Sequence, residues 1–297
     1  MNSRPVNPHP SLPARIDQPG PAPAERILAV EARGRAFEMV LPAGLPLLEA
    51  VRRGFAAQGF TSGVVTFGRL ALAPFAYVMP ALSETPEHAA FYSDIFRPGG
   101  VTWLESGAMT FGERDRQPFF HAHALWREAD GKRSGGHILP EDGTVVAEEA
   151  RVTAFGLDGA GSQARVDPET NFKLFEPVAR PPAGARTDTR AFAMRLRPNQ
   201  DFAGCLEDFC AARAIARATL RGGVGSTIGA RFDHGLVIGN FATEIYLRDA
   251  TIAADTSGKP AAALDIGLVD YTGQVAEGRL KRGANPVLMT MELVLAG

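Results

Sequence analysis

The chain repeats itself, and that constrains its fold more than any other feature. Arg35-Ala36-Phe37-Glu38-Met39 returns as Arg190-Ala191-Phe192-Ala193-Met194, an offset of 155 residues. Nearer the C-terminus, residues 263–280 lie without a gap on residues 121–138, with Gly273 on Gly131, at an offset of 142. The middle of the second copy is therefore shorter. Repeats of this length are duplicated domains and not solenoid turns, and 297 residues give room for two.

Each copy opens in the same way. Residues 35–41 read as a strand, followed by a helix over about 45–57 that carries Leu47, Leu48, Val51 and Phe55 near one face and ends at Gly59. In the second copy Phe202, Cys205, Leu206, Phe209 and Cys210 fall at i, i+3, i+4, i+7 and i+8, a helical stripe that stops at Arg213. Asn199 or Asp201 would cap it. Short β-branched and aromatic runs elsewhere read as strands. The division follows: a Pro-rich, disordered arm over 1–25, which includes His9; a first domain over 26–157; a linker over 158–187 whose apolar island, Phe172 to Val178, docks on a domain; and a second domain over 188–297.

The densest chemistry lies in the first copy. His121 and His123 are two apart, so on a strand they share a face. Ala129-Asp130-Gly131 reads as a turn. A three-residue loop centred on Asp130 pairs residues whose numbers sum to 260, which sets His137 opposite His123 on the same face. A two-residue Asp-Gly loop would turn His137 away unless a bulge at Gly135-Gly136 restored it. We adopt the register that gathers all three. Opposed Cβ atoms lie roughly 5 Å apart, within reach of one metal ion, and zinc on three protein ligands keeps a fourth position open. Glu105, Asp115 and Glu128 are the nearby carboxylates that would orient the ligands or act as a base. The second copy has Ala263, Asp265 and Arg279 at the histidine positions, a set in which Asp265 and Arg279 would be expected to form an ion pair across the hairpin.

These residues also carry a resemblance. His121-Ala-His-Ala124, the turn Gly131, Gly135-Gly-His-Ile138 and Gly143-Thr-Val-Val146 resemble the signature of the plants-and-prokaryotes-conserved domain, also catalogued as domain of unknown function 296. Ser62-Gly-Val-Val-Thr66 is similar to that family's G-x-V-x-x-V-T strand. The likeness covers about residues 27–156 and returns in degenerate form over about 188–297. It implies an α+β fold of two tandem domains, each a mostly antiparallel sheet with packed helices. It also implies a trimer as the favoured homo-oligomer and a metal at the three histidines. Plant members act in DNA-binding regulators through an added R-G-R-P arm. The nearest match here, Arg33-Gly34-Arg35-Ala36, lacks the proline.

Composition narrows the function. A net charge of −2 gives no basic surplus for nucleic acid. The two cysteines are read as buried thiols, which fits a cytoplasmic location. There is no apolar run of the roughly 20 residues a membrane span needs. Nor is there a nucleophile elbow, phosphate loop or dinucleotide fingerprint. The expected function is a three-histidine zinc site serving small-molecule binding or catalysis. The alternative is a DNA-associated regulator or oligomeric scaffold.

Overall fold

A computed structural model describes residues 12–141 and 143–297. Nearly every element is a strand. The first copy runs β1 (Ile27–Leu41), α1 (Leu47–Ala57), β2 (Gly63–Phe67), four short strands β3 (Leu70–Leu72), β4 (Tyr77–Val78), β5 (Pro80–Ala81) and β6 (Phe91–Tyr92), then β7 (Thr102–Arg114), β8 (Gln117–Arg127), β9 (Arg133–Ile138) and β10 (Ala150–Asp158). Between the copies lie β11 (Ala160–Val166) and β12 (Lys173–Ala179). The second copy runs β13 (Thr189–Leu196), α2 (Phe202–Ala212), β14 (Arg217–Arg231), β15 (Val237–Ala254), β16 (Pro260–Asp270), β17 (Val275–Arg279) and β18 (Val287–Ala296).

The duplication is visible in the strand order. The first copy runs β1-β10-β2-β7-β8-β9 and the second β13-β18-β14-β15-β16-β17, which are equivalent strands in the same order. Antiparallel pairing of β1 with β13 joins them into one sheet. The fold is thus mostly antiparallel sheet with two packed helices, an α+β architecture.

Alternation along each strand divides the core. In β8, Phe120, Ala122, Ala124 and Trp126 pack with Leu47, Val51 and Phe55 of α1. In the second copy, Ile245 and Leu247 of β15 and Met291, Leu293 and Leu295 of β18 pack with Phe202, Leu206 and Phe209 of α2. The residues between them point the other way, toward the opposite copy. Ala108 and Leu125 of the first copy meet Val224 and Tyr246 of the second. Each half-sheet therefore has its helix outside and turns its inner face to the other half.

The helix boundaries follow their local chemistry. Asp201, and not Asn199, caps α2, its carboxylate accepting the Gly204 amide at 2.8 Å. Arg213, where the apolar stripe stops, is the C-cap. Cys205 and Cys210 are free and buried, and burial pushes both thiols up to about 11.

Two stretches differ from expectation. Residues 158–187 hold a hairpin: β11 pairs with β12 and, in parallel, with β7, because Leu174 and Phe175 have a buried surface to occupy. Residues 12–25 do not stand free. Leu12 is buried, Ile16 exchanges two hydrogen bonds with the Asn199 side chain, and the Gln18 amide donates to the Leu288 carbonyl. Residues 1–11, with His9, lie outside the described residues. Among the described residues no helix is long and apolar enough to cross a membrane.

Candidate metal centre

The hairpin adopts the three-residue loop. The Glu128 amide donates to the Lys132 carbonyl at 2.9 Å, Arg127 lies opposite Arg133, and His123 lies opposite His137. Gly136 makes this possible, since a Cβ there would sit 2.4 Å from the Val78 carbonyl oxygen of neighbouring β4. The alternation that sends Ala122 and Ala124 beneath α1 sends His121 and His123 to the inner face. One nitrogen from each of His121, His123 and His137 falls within 4.8 Å of the others.

Outer partners fix the rings. His121 Nδ1 is 2.8 Å from Glu292 Oε2, and His123 Nδ1 is 2.9 Å from the Ile245 carbonyl oxygen. With each Nδ1 donating to its oxygen, a neutral ring presents its Nε2 as a bare lone pair. Those two Nε2 atoms lie 3.0 Å apart. Lone pairs at that distance repel unless a cation or a proton stands between them. His137 Nδ1 is buried without a hydrogen-bond partner. Burial, reinforced by the neighbouring imidazoles, holds His123 and His137 well below the ordinary histidine range, which favours the neutral, ligating form.

The carboxylates facing these rings come from the second copy. Glu292 lies on β18, with one oxygen on His121 and the other accepting the Phe175 amide of β12 at 3.3 Å. Glu244 lies on β15 with its Oε1 3.9 Å from His123 Nε2. Burial pushes its carboxyl well above the usual range. The three carboxylates chosen by nearness in sequence have other partners. Glu105 is held by Arg127 and Arg133, Asp115 by Lys173, and Glu128 accepts the Tyr77 hydroxyl. A signal for one true neighbour was present in the sequence. Glu292 is the one charged residue in the otherwise apolar run of β18, and a buried carboxylate is rare unless it has a specific partner. In the second copy Asp265 does oppose Arg279 in register, but its carboxylate pairs with Arg248 at 3.2 Å.

Two adjoining cavities meet at the histidines. The inner one, about 50 Å³, is bounded by His121, His123, Ser226, Thr243 and Glu244. The outer one, about 460 Å³, is bounded by His121, His137, Arg114, Phe119, Tyr92 and Phe172 among others. His88 stands on its wall, its ring 4.7 Å from that of Phe172.

Comparison with known proteins agrees on the domain. Residues 183–297 match the model of the Plants and Prokaryotes Conserved (PCC) domain. No curated relative matches the chain. Among solved structures, the chain is similar to a plant- and prokaryote-conserved protein from Pyrococcus horikoshii, at 19% identity and a TM-score of 0.39, over 51% of this chain and 97% of that one. A metal-containing protein from Archaeoglobus fulgidus is similar at 18% identity and a TM-score of 0.39, over 50% and 98%. A candidate DNA-binding protein from Bacteroides thetaiotaomicron is similar at 13% identity and a TM-score of 0.35, over 48% and 91%. The matched stretch is the copy without the histidines. The histidine-bearing copy differs from it by the short strands β3 to β6, inserted where the second copy runs from β14 straight into β15. The sequence match places a Plants and Prokaryotes Conserved domain at residues 183–297, and the first copy repeats its strand order.

Proposed function

We propose that His121, His123 and His137 hold a zinc ion and that the protein binds or transforms a small molecule there. The observation that carries this reading is the two Nε2 atoms 3.0 Å apart, with the Nδ1 of each ring turned to an outer oxygen. Donors on a tetrahedral zinc lie about 3.3–3.4 Å apart, given Zn–N lengths near 2.0–2.1 Å, so small shifts would admit the ion. The chemistry zinc supplies when bound is that of a Lewis acid, polarising a carbonyl, a phosphoryl oxygen or a water. The protein's own part is to orient His121 through Glu292, to keep His123 and His137 neutral by burial, and to line the approach with Phe119, Phe172 and Tyr92.

Elemental analysis of tag-free protein tests this, with about one zinc per chain expected and loss of it in His123→Ala. Less than about a tenth of an equivalent, unchanged by His123→Ala, would end the reading.

Less supports a DNA-associated role. Arg33 and Arg35 lie mid-strand in β1, paired to β10 on one side, and Arg35 is bonded to Gln58 and to the Arg186 carbonyl. A strand held this way cannot enter a minor groove as a free basic arm does. A salt-sensitive mobility shift with duplex DNA would favour that role instead.

A further inference from the structure

The second copy lost the histidines, yet it aims an ionisable group at those of the first. Glu244 sits on β15 between residues of opposite orientation. Ile245 goes into the core beneath α2, while Glu244 lines the inner cavity. Its side chain is 6% exposed, and Oε2 is buried without a hydrogen-bond partner. Its Oε1 lies 3.9 Å from His123 Nε2.

The nearby hydroxyls and amides do not attend to it. The Thr243 hydroxyl donates to the Thr227 carbonyl, and the Ser226 hydroxyl accepts the Met289 amide. The buried carboxylate on the other side of the histidines, Glu292, has both oxygens in use. A buried carboxyl with nothing to bond is unfavourable, and natural interiors rarely leave one so. Here it shares a chamber with two bare imidazole nitrogens. The separations of 3.0 Å between the two Nε2 atoms and 3.9 Å from His123 Nε2 to Glu244 bracket the donor spacing of a tetrahedral site.

We infer that Glu244 is the fourth ligand of the histidine site, so that one metal is held by both copies of the duplicated domain. The inference rests on the metal reading and goes beyond it. The resting site is then closed, three nitrogens and one carboxylate. A small molecule reaches it from the outer cavity, past Arg114 and Tyr92, by displacing the Glu244 carboxylate or by adding beside it. The second copy on this account is part of the centre and not only its wall.

Cobalt(II) and zinc titrations of the metal-free full chain test this, because cobalt reports its ligand set in visible absorption. Wild type should take up about one cobalt with the intense bands of a four-coordinate site. Glu244→Gln keeps the shape and should bind roughly 10- to 100-fold more weakly with altered bands. Glu244→Ala should behave alike and recover in part with added acetate, which a remote electrostatic role would not produce. Circular dichroism matching wild type shows that either variant is folded. Identical cobalt spectra and affinities for wild type and both variants would overturn the inference while leaving the three-histidine site standing. A wild-type chain that takes up neither metal would overturn both, so the two failures are distinguishable.

Discussion

His123 is buried, with its Nδ1 on a backbone carbonyl and its Nε2 toward His121. Together with His137 it resists protonation, because burial and the neighbouring rings disfavour the charged form. The consequence for pH has a definite sign. An unfolded chain takes up protons on these two histidines near pH 6.5, its ordinary value, while the folded chain refuses them, so their contribution is intact above about pH 6.5 and is lost on acidification. Glu244 acts oppositely, because its raised carboxyl keeps a proton that the unfolded chain releases above about pH 4.5. Two histidines outweigh one glutamate, so metal-free protein should lose stability between about pH 6.5 and 5. Denaturant midpoints across that range check this, and a rising midpoint on acidification would contradict it. At Gly136, a Cβ would meet the Val78 carbonyl oxygen at 2.4 Å. Gly136→Ala should therefore cost about 2 kcal/mol and weaken metal uptake by displacing His137, both readable from one thermal melt with and without zinc.

Among the elements, the two helices and the histidine hairpin were legible in the sequence because their signals are local. The α2 stripe, its stop at Arg213 and a cap at one of two residues needed only the 3.6-residue period and side-chain chemistry. Asp201→Ala removes a carboxylate that accepts the Gly204 amide and also the Asn285 amide, and should cost roughly 1–2 kcal/mol in chemical denaturation. The hairpin followed from a turn glycine and a two-residue period, while its register rested on adopting the three-residue loop over the two-residue one, which the structure bears out. The β11–β12 pair was not legible. Its residues are rich in Gly, Pro, Ser and Arg, and they become strands because β7 offers an edge. That hairpin is not idle, because its Phe175 amide holds Glu292 against His121. Glu292→Gln leaves this hairpin and its ion pairs with Arg195 and Arg197 intact, and should lower zinc affinity roughly 10-fold or more, as loss of an outer partner does. Unchanged affinity would show that the Glu292 carboxylate contributes nothing to the centre.

For the molecule as a whole, the consequence of facing half-sheets is that the centre belongs to both copies. Metal should then stabilise the whole chain and not the first copy alone. Zinc at 100 times its dissociation constant adds about 2.7 kcal/mol, and hydrogen exchange should slow in β15 and β18 as well as in β8. Protection confined to β8 and β9 would argue that the copies are energetically separate. The sequence by itself determined the duplication, through its repeated segments, and the helices and the shared face of His121 and His123, through periods of a few residues; which of two loop lengths places His137 on that face was decided by the fold. Only the tertiary structure decided which carboxylates meet the imidazoles. Glu244 and Glu292 lie more than a hundred residues beyond the histidines, and folding one half-sheet across the other brings them there. Nearness along the chain pointed instead to Glu105, Asp115 and Glu128, which the fold gives to arginine, lysine and tyrosine partners.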